Sequence, residues 1–268
     1  MSDQVGDNGK MLELYQRFMT SAVAKDYYEN SNFNNFGLWE DDVKTQKEAC
    51  LKLIKKLSEG LNEPNGKILD IACGTGGSTA YLQDRFSNSR VTGINISDKQ
   101  IGVCRENYPT IDFITMDATN LRFADESFDV VFCIESATHF NTRADFISES
   151  FRVLKPGGVL IISDVLMDLV DGLDWFAPFA NSERSIAAYE TLLKRYGFLI
   201  RSIEDKKQTT LLPYIEHLRK WALKKEFLNL ISREDCQYLI SLTDLLNQLP
   251  INHYLLVSAQ KPRKQIGH

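Results

Sequence analysis

Two sets of residues in this sequence have types and spacing suited to chemistry. The first is the run Asp70-Ile-Ala-Cys-Gly74-Thr-Gly76-Gly77. Glycines grouped this way let backbone approach a ligand without interference from a Cβ. The run departs from the dinucleotide fingerprint G-x-G-x-x-G/A. Counted from Gly74, the third position is Thr79, and the acidic Asp70 four positions earlier has no place in that pattern. The second set is His139, in Glu135-Ser-Ala-Thr-His139-Phe, and Asp164, in Ser163-Asp164-Val165. A histidine is suited to general base work near neutral pH, and a carboxylate beside it fixes its tautomer. A histidine that only lines a pocket or caps a loop is the competing reading, and the residue types alone leave both open. His217 and His253 read as packing or surface residues. The five cysteines, Cys50, Cys73, Cys104, Cys133 and Cys236, form no C-x-x-C pair, which argues against a zinc site or redox dithiol. No H-x-x-x-H spacing appears, so no metal is expected.

These side chains need elements to hold them. From residue 67 the chain alternates strand-like and helix-like stretches. Lys67–Ala72 reads as a buried strand, 76–86 as a helix opened by the glycine turn, Val91–Ile96 as a strand, and 98–107 as a helix. Ile111–Met116 and the continuous apolar run Phe128–Ile134 follow as strands. Ala144–Leu154 is helical and stops at Pro156-Gly157-Gly158, before another buried run, Val159–Val165. Strands that are apolar without alternation, separated by helices, mean a parallel sheet covered on both faces. Ligands in such sheets bind at the carboxyl ends of the strands. His139 follows the fourth strand and Asp164 ends the fifth, so both are expected at that edge.

Outside this core, Met11, Leu12, Tyr15, Phe18, Met19, Ala22 and Val23 share one face of a helix. Residues 27–39 read as an ordered loop rich in Asn and aromatics. A helix carrying Cys50, Leu53, Ile54 and Leu57 stops near Gly60. Residues 167–182 read as a loop, with Asp168, Asp171, Asp174, Trp175, Phe176 and Phe179 lining an acceptor pocket or docking into the core. A helix over 185–196, a strand over 198–203, helices over 211–230 and 232–248 and a last strand over 251–259 complete the chain, with a mobile tail. The expected organisation is a single domain, with N-terminal helices over 1–60, a core over 61–165, an acceptor-side loop and cap helices over 166–250, and a last strand over 251–260.

The ordered set of motifs resembles the class I S-adenosylmethionine-dependent methyltransferases. After the Asp70–Gly77 run come Gly93-Ile-Asn-Ile-Ser97, Met116-Asp117-Ala118, Phe128-Asp129 and Arg152-Val-Leu-Lys-Pro-Gly-Gly158. The match covers about residues 60–165, and Gly37-Leu-Trp39-Glu-Asp is similar to a segment of the small-molecule members. The resemblance implies an α/β fold: a doubly wound, seven-stranded Rossmann-like sheet, mostly parallel with the last strand antiparallel, an N-terminal helical lid, and a helical cap before the last strand. It implies S-adenosylmethionine as cofactor, with S-adenosylhomocysteine as product. Asp70 is then expected to anchor the turn and the methionine ammonium. Gly74 and Gly76 would pass against the amino-acid moiety and ribose. Asn95 stands where the family has Asp or Glu on the ribose hydroxyls, and Gln100 is similar to a position that helps hold the ribose. Asp117 would accept from the adenine amino group and the Ala118 N–H donate to the ring. Ala72, Ile96 and Glu135 complete the expected cofactor lining, and Tyr28 and Trp39 would close over the methionine end. His139 and Asp164 are similar to the bases invoked in sugar and natural-product O-methyltransferases.

The expected reaction is methyl transfer to an oxygen or nitrogen of a small metabolite in natural-product biosynthesis. The alternatives are transfer to a protein or a carbon centre, and a nucleoside-binding module without methyl transfer. Composition narrows the partners. A chain of 268 residues with net charge −5 lacks the basic field that nucleic-acid binders use. It has neither a signal-peptide core nor an apolar run near the about 18 residues a membrane span needs. The scattered cysteines fit a reducing compartment, so the expected location is the cytoplasm.

Overall fold

The structure, a computed structural model, describes residues 21–40, 42–61, 66–168, 181 and 183–264. Helix α1 (Ala22–Tyr27) and helix α2 (Gln46–Leu57) precede the sheet. Thr45 starts α2 with a reciprocal capping box to Glu48, which satisfies two N-terminal N–H groups that would otherwise lack partners. The alternating core then runs β1 (Lys67–Ile71), α3 (Gly77–Arg85), β2 (Arg90–Asn95), α4 (Asp98–Asn107), β3 (Asp112–Thr115) and β4 (Phe128–Ile134). A 3-10 turn (Ala137–His139), α5 (Arg143–Val153), β5 (Leu154–Met167), α6 (Ile186–Arg195) and β6 (Leu199–Asp205) follow. The chain closes with α7 (Leu211–Phe227), α8 (Arg233–Gln248) and β7 (Ile251–Gln260).

The seven strands lie in the order β3-β2-β1-β4-β5-β7-β6. β1 to β5 pair in parallel. β7 inserts antiparallel between β5 and β6, so it alone is reversed. Strand side chains alternate between faces. On one face Val130, Phe132, Ile161 and Val165 pack with α1, α2, α7 and α8. On the other, Val131, Leu160, Ile162 and Leu166 pack with Phe146 and Ile147 of α5 and Tyr189 and Leu193 of α6. The late helices thus join α1 and α2 as one layer over the sheet.

Two expectations change. β5 runs from Leu154 to Met167, two residues past the expected end, because β7 continues to pair with it as far as Met167. The segment expected to be a mobile tail begins anchored. The Lys261 N–H donates to the Gly158 carbonyl, and its ammonium donates to Phe151 and Leu154 carbonyls at the end of α5. The apolar stripe of Met11–Met19, the residues Asp171, Asp174, Trp175, Phe176 and Phe179, and the last four residues lie outside the described residues.

Candidate active site

Strand order reverses between β1 and β4, and a crevice forms there beyond the carboxyl ends of the strands. It holds a cavity of about 580 Å³. Ala72, Cys73, Gly74 and Ser78 line one wall. Ala72 and Gly74 both take left-handed backbone, with φ of 57°. The Cys73 N–H donates to the Ile94 carbonyl at 2.9 Å and ties this turn to β2. Asp70 lies beneath the turn, outside the lining, at 1% exposure. Its carboxylate accepts from Ser78 Oγ and Thr79 Oγ1, each at 2.7 Å. Burial pushes its pKa up to about 6 against the pull of these two hydroxyls. Asp70 therefore anchors the first turn of α3 from beneath the cavity wall, and does not itself reach the lining. Gly76 differs from expectation. It caps α3 with φ of 91°, and a Cβ there would meet the Tyr108 ring at 3.1 Å and Cys104 Sγ at 3.2 Å. Its freedom serves the turn and the packing of α4, and it does not line the cavity.

Asn95, Ile96 and Gln100 form the next wall, followed by Asp117 and Ala118. Asn95 Nδ2 donates to Gln100 Oε1 at 2.9 Å, while its Oδ1 accepts from the Ser97 N–H at 3.2 Å. Asp117 Oδ1 accepts from both the N–H and the hydroxyl of Thr119 at 2.8 Å, which fixes the carboxylate at the rim.

The opposite side is closed by residues 28–39, a strap of which the sequence singles out Tyr28 and Trp39 but not the asparagines between them. Asn32, Phe33, Asn34 and Asn35 line the cavity. The Asn32 carbonyl accepts from Gly77 N–H at 3.3 Å and from Thr75 Oγ1 at 3.0 Å, and Asn34 Nδ2 donates to Thr75 Oγ1 at 3.2 Å. A Cβ at Gly77 would sit 2.6 Å from that Asn32 oxygen, so glycine is what lets the strap lie against α3. Tyr28 and Trp39, expected over the methionine end, hold the strap from behind instead. Tyr28 is buried and donates to the Asn35 carbonyl at 3.3 Å. Trp39 Nε1 donates to the Phe36 carbonyl at 3.0 Å, and its ring packs on His217 at 4.4 Å. Both are turned away because the strap's own asparagines occupy the cavity side.

The strap ends on Glu135, which lines the cavity just past β4 with φ of 52°. Both carboxylate oxygens accept from the Phe36 N–H, at 3.0 and 2.9 Å, and Tyr254 Oη donates to Oε1. Burial pushes the Glu135 pKa up to about 8, against the opposing effect of those two donors. Ser136, His139, Phe140 and Asn141 continue the lining, with His139 on the 3-10 turn. Asp164 does not join it. Alternation along β5 places Asp164 on the face toward α6, fully buried. There it accepts from Arg143 Nε at 2.7 Å, Tyr189 Oη at 3.0 Å and the Val165 N–H at 2.8 Å. Burial alone would lower the Arg143 pKa, but Asp164 outweighs it and the net shift is upward. The expectation that Asp164 faces the reacting centre beside His139 is corrected. The strand continues three residues past Asp164, so this side chain stands on the sheet face and not at the carboxyl edge.

Among the described residues no helix is long and apolar enough to cross a membrane. Nor do three or more His, Cys, Asp or Glu gather there as a metal site. The cavity suits S-adenosylmethionine by its donors and acceptors. The left-handed Gly74 turn keeps backbone at the wall, where an added Cβ would crowd Asn34 Nδ2 at 3.3 Å. A fixed carboxylate stands at the rim at Asp117, an amide pair at Asn95 and Gln100, and a buried oxygen, Asn35 Oδ1, has no hydrogen-bond donor among the described residues.

Comparison with known proteins agrees. A family profile described as a methyltransferase domain matches residues 69–162. The chain is 30% identical over 247 residues to 27-O-demethylrifamycin SV methyltransferase of Amycolatopsis mediterranei, covering 84% of this chain and 89% of that one. It is 28% identical over 254 residues to erythromycin 3''-O-methyltransferase of Saccharopolyspora erythraea, covering 85% and 83%. Its fold is similar to that of geranyl diphosphate C-methyltransferase from Streptomyces coelicolor A3(2), solved with Mg2+, geranyl diphosphate and S-adenosyl-L-homocysteine. That TM-score is 0.69 at 17% identity, over 94% of this chain and 97% of that one. The site geometry, the sheet and the relatives converge: this chain belongs to the S-adenosylmethionine-dependent methyltransferases.

Proposed function

We propose that the protein transfers a methyl group from S-adenosylmethionine to an oxygen or nitrogen of a small-molecule metabolite, in natural-product biosynthesis. The observation that carries this reading is one strap-covered cavity with the nucleoside-type wall at one side and Glu135, His139 and Phe140 at the other. The cofactor brings an activated methyl on a sulfonium, and the protein contributes position and exclusion of water. Asp117 accepts from the adenine amino group, the Ala118 N–H donates to the ring, and Asn95 with Gln100 takes the ribose hydroxyls. The Ala72–Gly74 turn and Glu135 hold the amino-acid end. His139, on the same cavity as Glu135, orients the acceptor and takes its proton when the acceptor is a hydroxyl. General base help of this kind contributes about 10²- to 10⁴-fold. An amine acceptor attacks through its neutral lone pair and needs only the orientation. Asp164 acts indirectly, through Arg143.

The relatives named for rifamycin and erythromycin O-methylation favour oxygen. The carbon-methylating neighbour keeps a carbon acceptor as the alternative, alongside a protein acceptor and a nucleoside-binding module. Calorimetric titration with S-adenosylmethionine and S-adenosylhomocysteine tests the cofactor half. Micromolar binding, about −8 kcal/mol, is expected, weakened about tenfold in Asp117→Ala by loss of a charge-assisted bond. A folded protein that binds neither nucleoside overturns the reading. A screen of hydroxylated and amino natural products then tests the acceptor, with His139→Ala slowing turnover and leaving nucleoside affinity intact.

A further inference from the structure

The turn that carries His139 is short and weakly held by itself. It has one good internal bond, His139 N–H to the Ser136 carbonyl at 3.0 Å, and a longer one from Phe140 N–H to Ala137 at 3.4 Å. One 3-10 turn of this kind does not fix its own direction. A residue from beyond β5 braces it. Asn181 is 3% exposed. Its Nδ2 donates to the carbonyls of Thr138 and Phe140, at 3.1 and 3.0 Å, the residues on either side of His139. Its Oδ1 accepts from the Arg143 N–H at 2.6 Å, one of the unpaired N–H groups at the start of α5. Both amide donors and the amide oxygen are therefore used on a single six-residue stretch. Arg143 carries the connection onward. Its side chain donates to Asp164 Oδ2 at 2.7 Å and to the Val165 carbonyl at 2.7 Å, inside the sheet.

We propose that Asn181 is a positioning residue for His139, setting the direction of the imidazole into the cavity by clamping the peptide groups on both sides of it. This rests on the reading that His139 faces the acceptor. The clamp requires an amide. A carboxylate at 181 still accepts from Arg143 N–H but meets the two carbonyls with like partial charge, and an alanine leaves all three groups without partners. It also links a residue that follows β5 in the chain to the residue proposed to act on the acceptor.

The test is nitrogen-15 NMR of the histidine rings in the full chain with S-adenosylhomocysteine bound, His139 being assigned through His139→Gln. In Asn181→Ala and Asn181→Asp the His139 ring shifts and titration midpoint are expected to move. The His217 and His253 signals and the nucleoside affinity should stay as in the unmodified protein. His139 signals unchanged in both variants overturn the proposal. Loss of the fold in both, seen by circular dichroism, overturns it as well, because the amide would then hold the whole domain and not one turn. If Asn181→Ala alone fails to fold, Asn181→Asp isolates the two donor bonds. His139 signals that move, with acceptor turnover indifferent to His139→Ala, would leave the clamp standing and remove the base role from the proposed function.

Discussion

Replacing Asp164 separates a structural carboxylate from a catalytic one. The side chains of Arg143 and Asp164 are 3% and 0% exposed, and the pair is closed at 2.7 Å. Asp164→Asn leaves the guanidinium in place with Glu183, at 3.7 Å, as its remaining carboxylate partner among the described residues. Stripping the close partner from a buried pair costs about 3–5 kcal/mol, because the remaining charge is out of water and, here, only loosely matched by Glu183. That is a large share of the roughly 5–15 kcal/mol that holds a folded domain. Removing both charges together, in Arg143→Met with Asp164→Leu, takes away that penalty. It leaves Tyr189 Oη and the Val165 N–H and carbonyl short of a partner, at about 1–3 kcal/mol each at most, and Glu183 without its cation. The double variant should therefore lose less than the sum of the singles, with a coupling of about 2 kcal/mol or more. Urea unfolding measures this directly. With a slope near the upper end of about 1–3 kcal/mol/M, Asp164→Asn should lower the midpoint by about 1–2 M. A midpoint lowered by less than about 0.3 M, or singles that add without coupling, would refute the reasoning. Methyl transfer abolished in a variant of unchanged stability would return Asp164 to the reacting centre.

Other expectations follow from the cavity wall. The Glu135 pKa is raised from 4.5 to about 8 in the folded chain, so the folded state holds this proton more tightly than the unfolded one. Stability from this group is full below about pH 4.5 and falls as pH rises, until the loss is complete above about 8. The total is a few kcal/mol at about 1.4 kcal/mol per unit. Glu135→Gln should flatten the decline of the urea midpoint between pH 5 and 9, and an unchanged decline would rule out Glu135 as its source. Asn95→Asp should bind S-adenosylhomocysteine about fivefold more tightly, roughly 1 kcal/mol. The Gln100 amide can turn to donate to the new carboxylate and leave it free for ribose. Equal or weaker affinity by calorimetry would count against this.

Much of the sheet is legible because its strands are continuous apolar runs bounded by glycine turns and helix caps. Ser97, Thr142, Ser185 and Ser232 each start a helix by accepting from an N–H three residues on. The Asp70–Gly77 turn is readable for the same reason, since its chemistry is local. What was not readable depends on contacts far along the chain. The strap's residues have no period, and Glu29, Asn30 and Asn32 take left-handed backbone. Their partners Thr75, Tyr108 and Glu135 lie 41 to 99 residues away. The length of β5, which β7 sets by pairing, moves Asp164 from the strand's end into its interior. Asn181 carries no sequence signal at all, as a lone asparagine in a loop ordinarily faces water.

The placement of β7 fixes the order in which the enzyme can be completed. The strap precedes the nucleoside wall in the chain, and the strand that steadies its anchor, β7, follows it. Glu135 takes the Phe36 N–H from the strap, but its second donor is Tyr254 in β7. β7 in turn lies between β5 and β6, both of which precede it in the chain, and β6 joins the sheet only through it. On the ribosome the nucleoside wall can therefore assemble while the covering of the cavity waits until β7 has been made. Such late, long-range pairing is slow and exposes strand edges in the meantime. A chain interrupted before residue 251 would keep the nucleoside motifs yet leave Glu135 without Tyr254, with β5 and β6 deprived of the strand between them.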